Sequence, residues 1–144
     1  MYVALSSTFF AAIVLQLANP VSANYETGKA VQINFYSNSG CSAYTSETAA
    51  WWTRSPRAGE YVNGGAAAEC FALNMPGSSQ SINVASVWKG SGAKTSGGCY
   101  LYDGYNCGGV TKYADYRSGS GDCLAARSSA GYLWKSARCG AAPN

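Results

Sequence analysis

Three kinds of side chain in this sequence could do chemistry: seven carboxylates, six cysteines, and an aromatic set that includes four tryptophans and eleven tyrosines. The carboxylates are Glu26, Glu47, Glu60, Glu69, Asp103, Asp115 and Asp122. A glycoside hydrolase would need two of them held about 5–10 Å apart, and no local motif pairs any two. Asp103 and Asp122 each adjoin a glycine, which fits turn positions better than catalytic ones. Histidine is absent. That removes a Ser-His-Asp triad, a Cys-His pair, an imidazole base and any His-ligated metal. No two cysteines have C-x-x-C spacing, so a thiolate zinc site is not indicated either. The expectation is a protein that binds, with no catalytic residues, no cofactor and no metal.

Aromatic residues are the remaining resource for binding. Trp51 and Trp52 are adjacent, so in a strand their rings point to opposite faces and one can be exposed. With Tyr61, Tyr105 and Tyr113 they make the candidate binding surface, able to stack on a sugar or a protein partner. Tyr116 and Trp134 are further candidates for it, although Trp88 and Trp134 read better as core. The net charge of +3 favours anionic surfaces weakly. It is too small and too scattered for a nucleic-acid footprint.

These residues must be positioned by a small, exported β domain. Residues 1–23 carry no charged side chain, and Thr8 to Ala18 is an apolar run ending at Asn19-Pro20. Val21-Ser22-Ala23 then supplies small residues for cleavage after Ala23, the pattern of a secretory signal. The run is too short for a membrane anchor, which needs about 20 apolar residues. All six cysteines lie beyond it, and their even number in an oxidising compartment argues for three disulfides. Val31 to Tyr36 alternates strictly, with Val31, Ile33 and Phe35 on one face. Ser81 to Trp88, Cys99 to Tyr102 and Tyr132 to Lys135 also read as strands. Gly-rich and polar turns separate them, so the fold class is all-β and antiparallel. The one helix candidate is Ser46 to Thr53.

The segment Ile33 to Ser42 aligns without gaps on Cys99 to Gly108, placing Tyr36 on Tyr102 and Cys41 on Cys107. A strand, an aromatic, a tight polar turn and a cysteine thus recur, the mark of a duplicated unit. Here the chain resembles the βγ-crystallin superfamily, whose Greek-key motif opens with an aromatic strand and a folded turn. Leu101 to Gly109 looks like that hairpin, and Ser79 to Val84 like the Ser-Ile-x-Val strand that closes a motif. The resemblance implies a sandwich of two motifs within residues 24–144, at about 31–88 and 98–139, the first with an insertion around 46–68. If the repeated halves are equivalent, the repeat suggests matching bridges Cys41–Cys70 and Cys107–Cys123, with Cys99–Cys139 left to join the first and last strands of the second motif. Calcium-binding relatives carry acidic or Asn pairs before the closing serine. Pro76 to Ser81 and Gly131 to Ser136 hold no carboxylate, so that site is expected to be absent.

The chain is also similar in style to small cysteine-rich proteins secreted by fungi. The expectation from that likeness is an extracellular effector or virulence factor, meeting a protein or cell-wall glycan of a host or competitor. The alternatives are an antimicrobial or killer-toxin-like protein, and a wall-polysaccharide-binding module or carbohydrate-active enzyme.

Overall fold

The structure is a computed structural model that describes residues 30–51, 70–88, 94–117 and 119–142. Residues 1–23, Trp52, Tyr61 and most of the expected insertion lie outside these segments. Alternation decides the first strand: in β1 (Ala30–Tyr36), Val31, Ile33 and Phe35 are buried while Gln32 and Asn34 face outward. β2 (Tyr44–Trp51) returns along it, and β3 (Cys70–Ala72) and β4 (Ser81–Val87) follow. The second half contributes β5 (Gly97–Tyr102), a 3₁₀ turn (Tyr105–Cys107), β6 (Thr111–Arg117), β7 (Ser120–Gly121), β8 (Leu124–Ala125) and β9 (Ser136–Ala141).

Two local expectations are corrected. The described part of the expected helix Ser46 to Thr53, residues 46–51, is not helical. It belongs to β2, which pairs with β1 from Ala30↔Trp51 to Tyr36↔Tyr44. The helix preference of Glu47, Ala49 and Ala50 is weak, and ladder pairing with a buried strand outweighs it. Tyr132 to Lys135 is not a strand. It runs as a loop with one bridge, Arg127↔Leu133, and β9 starts at Ser136.

The strands form two antiparallel sheets, in the orders β2-β1-β4-β8 and β3-β9-β5-β6-β7. Each half lends one strand to the other's sheet: β3 joins the second sheet beside β9, and β8 joins the first beside β4. One core lies between the sheets. Val31, Ile33, Phe35, Ile82 and Val84 meet Leu101, Tyr116, Trp134 and Ala137 there, all buried. Neither half holds a complete sheet by itself, so the two fold as one unit.

The sequence repeat has a structural counterpart at hydrogen-bond resolution. In the first half, Cys41 N–H donates to Ser81 Oγ (3.1 Å) and Ser81 Oγ donates to Asn38 C=O (2.6 Å). In the second, Cys107 N–H donates to Ser136 Oγ (2.9 Å) and Ser136 Oγ donates to Gly104 C=O (2.6 Å). One step earlier, Gln80 N–H bonds Tyr36 C=O (2.8 Å) and Lys135 N–H bonds Tyr102 C=O (2.8 Å). The exchanged strands end on the same two residues. Ala126 N–H donates to Gln80 C=O and Leu73 N–H to Lys135 C=O, both at 3.0 Å. Both folded turns place their cysteine in the left-handed region, Cys41 at φ 51 and Cys107 at φ 56.

The strand exchange corrects the disulfide pairing. The bridges are Cys41–Cys123, Cys70–Cys107 and Cys99–Cys139, so only the last matches the expected set. The equivalence of Cys41 with Cys107 holds, as does that of Cys70 with Cys123. The connection is crossed because the cysteine that reaches each folded turn arrives on or beside the strand lent by the other half. Two of the three bridges therefore join the halves. Cys99–Cys139 links directly paired residues of β5 and β9.

Candidate functional site

The outward face of the second sheet carries a concavity bordered by described residues. Tyr100 on β5 lies opposite Tyr113 on β6, and on its other side opposite Arg138 on β9. The two tyrosine rings sit with centroids 4.9 Å apart and planes inclined by 52°. Gly98 is needed beside them. A Cβ there would lie 2.7 Å from the Tyr113 hydroxyl and collide with the Ala114 carbonyl on the facing strand. Further along β6, Arg117 Nε donates to Asp115 Oδ2 at 2.5 Å. That hydrogen bond, with the Asp115 charge behind it, raises the Arg117 pKa above its already high ordinary value. Together with Ser96 and Gly97 these groups border an open groove of about 610 Å³.

An aromatic pair beside a paired carboxylate and guanidinium can stack on an apolar ring face and hydrogen-bond a polar rim. Among the described residues the groove presents no pair of carboxylates: Asp115 is the one acidic lining residue, and it is paired with Arg117. Asp122, the nearest acid in sequence, uses Oδ2 to accept from Asp115 N–H (3.3 Å) across the β6–β7 turn.

Tyr105, also expected in the binding surface, lies elsewhere. It starts the 3₁₀ turn at the opposite end of the β5–β6 hairpin from Gly97 and Arg117, and is 71% exposed. Lys135 Nζ stands 5.1 Å from its ring centroid and 5.6 Å from that of Tyr132, which is 60% exposed. The expected surface thus separates into two places on the described chain, with Tyr113 in the groove and Tyr105 at the hairpin tip. Trp51 closes β2 in the other sheet, and Trp52 and Tyr61 fall outside the described residues. Tyr116 and Trp134 are core, at 1% and 4% exposure, as is Trp88.

Sequence reading missed Tyr100, Asp115, Arg117, Tyr132 and Lys135 as surface partners. Tyr100 was within reach, since alternation with buried Cys99 and Leu101 turns it outward. Lys135 was not, because its relation to Tyr105 depends on the long-range pairing of β9 with β5 and the bond from Lys135 N–H to Tyr102 C=O.

The other described acids have local duties. Asp103 is buried, with Oδ1 accepting from Val110 N–H (2.8 Å) and Oδ2 from the Ser128 hydroxyl (2.6 Å). Glu47 accepts from Gln32 (2.6 Å) and from Tyr44 (3.2 Å) on the outer face of the first sheet. The Tyr44 phenol titrates above the usual tyrosine range, through desolvation first and then the Glu47 charge. No cluster of three or more potential metal ligands occurs among the described residues, and none of their helices is long and apolar enough to cross a membrane. Compared with protein-family models, curated proteins and solved structures, the chain finds no match in any of the three.

Proposed function

We propose that this chain is a secreted, βγ-crystallin-like protein of two Greek-key motifs that acts outside the cell by binding, as an effector directed at a host or neighbouring organism. Several features support the fold reading. In each half the last strand returns to pair with the first, β4 with β1 and β9 with β5, as a Greek key returns. The two folded turns close on equivalent serines, Ser81 and Ser136. Three bridges using all six cysteines suit an oxidising compartment.

The observation that carries the binding reading is the Tyr100–Tyr113 groove: two aromatic rings held in register by a sheet, beside one ion pair. Rigid aromatic anchors are what a binding surface uses to gain contact area at low entropic cost. The test applies the labelled, oxidised protein to host and competitor cells. Saturable surface binding is expected, weakened roughly tenfold or more by Tyr113→Ala, with no growth arrest and no dye leakage. Growth arrest or leakage at micromolar protein would replace the effector with the toxin. Release of a labelled wall oligosaccharide fragment would replace it with an enzyme. Secretion is checked separately, by finding Asn24 as the first residue of the exported form.

A further inference from the structure

The cluster at the hairpin tip has no role in the fold that the repeat does not already fill without it. Both folded turns are built by the same bonds to Ser81 and Ser136. The position matching Lys135 is Gln80, fixed by equivalent backbone bonds to Tyr36 and Ala126. The position matching Tyr105 in the aligned turn is Ser39, and Pro76 to Gln80 contains no aromatic counterpart of Tyr132. The first half forms the same turn with a serine and a glutamine. Two largely exposed tyrosines around an ammonium are therefore an addition of the second half.

The chemistry of the addition is specific. Lys135 makes no ion pair with a carboxylate among the described residues, and its side chain stands over the faces of two rings instead. Asp103 forms no salt bridge with it; that carboxylate is buried, and its oxygens accept from Val110 N–H and the Ser128 hydroxyl. A second cation lies alongside, since Arg127 Nη1 donates to Gly131 C=O (3.0 Å) in the turn that carries Tyr132. The platform is also held firmly. Lys135 is pinned by backbone bonds to Tyr102 and Leu73, and the 3₁₀ turn by Ser136 and the Cys70–Cys107 bridge. Preorganised rings and an ammonium with no salt-bridge partner among the described residues suit a ligand with flat, weakly polar faces and a negative charge at its rim.

We propose that Tyr105, Tyr132 and Lys135 form a binding site for an acidic saccharide. Its pyranose rings stack on the tyrosines and its uronate carboxylate pairs with Lys135. The site is separate from the Tyr100–Tyr113 groove and does not depend on the function proposed for that groove. A saccharide fits better than an anionic membrane surface, because among the described residues the exposed large apolar side chains are tyrosines and one aliphatic, Val110. An inserting tip would present several aliphatic or tryptophan side chains.

The test titrates the oxidised protein with hexagalacturonate, a hyaluronan hexasaccharide, cellohexaose, and vesicles containing phosphatidylserine, followed by calorimetry and by amide chemical shifts. Saturable binding of at least one uronate hexamer is expected, with shifts centred on Tyr105, Tyr132 and Lys135 and weakening as salt is added. Lys135→Met, Tyr105→Ala and Tyr132→Ala should each weaken it roughly tenfold or more, and Lys135→Arg no more than about threefold. Tyr44→Phe, an exposed tyrosine on the first sheet, should leave it unchanged. The three replaced side chains are surface groups, so unchanged melting curves verify that the variants are folded. Binding of neither uronate hexamer at millimolar ligand overturns the proposal. So does equal binding of cellohexaose, binding of vesicles alone, or uronate binding indifferent to Lys135→Met.

Discussion

Ser81 and Ser136 are each a small hydroxyl that does two jobs, accepting from a cysteine N–H and donating to a turn carbonyl. Both residues are buried, so alanine would leave two backbone groups without the partner and little water to replace it. Each Ser→Ala change is expected to cost about 1–3 kcal/mol, measured by denaturant unfolding. The two sites lie in different halves, so the double variant should show the sum within about 0.5 kcal/mol. Asp103→Ala belongs to the same class. It strands Val110 N–H and the Ser128 hydroxyl, and a loss of about 1–3 kcal/mol is expected in the same measurement. Gly109 adds a constraint, because its φ of +88 and the closeness of a Cβ to Asp103 Oδ1 both exclude a side chain.

The elements explain which local readings succeed. β1 and β4 were legible because each alternates around a buried face, and that pattern survives whatever the neighbours are. β2 was not legible, since it is an edge strand of small and polar residues whose only instruction is its pairing with β1. β3, β7 and β8 are two or three residues long and have no period of their own. In the second sheet Gly98 lets β5 and β6 pack with the Tyr113 ring over the backbone. Gly98→Ala is expected to separate them locally and cost about 1–3 kcal/mol. It should also weaken any ligand of the groove, because the Tyr100–Tyr113 spacing would change; the melting curve and the binding curve report the two effects independently.

At the scale of the molecule the exchanged strands and crossed bridges make the halves interdependent. Residues 24–88 and 94–144, produced separately, are each expected to lack a cooperative thermal transition, because each sheet would lose a strand and two inter-half disulfides could not close. The bridges should also differ in how readily they are reduced. Cys99 and Cys139 are 0% and 3% exposed, whereas Cys123 and Cys70 are surface residues. Thiolate attack requires access, so stepwise alkylation under a mild reductant is expected to label Cys41, Cys123, Cys70 and Cys107 before Cys99 and Cys139. The composition, the alternation in β1 and β4, and the recurrence of Tyr36-Cys41 as Tyr102-Cys107 determine an all-β chain with a duplicated turn. Those signals are local or nearly so, and they need no knowledge of which strand lies beside which. The cysteine partners, the separation of Tyr105 from Tyr113, and the placing of Lys135 against Tyr105 and Tyr132 were decided only in three dimensions. The cysteine partners follow from the exchange by which a strand of one half completes the sheet of the other. The separation of Tyr105 from Tyr113 follows from the β5–β6 register, and the place of Lys135 from the pairing of β9 with β5. No period or spacing along the chain encodes these pairings.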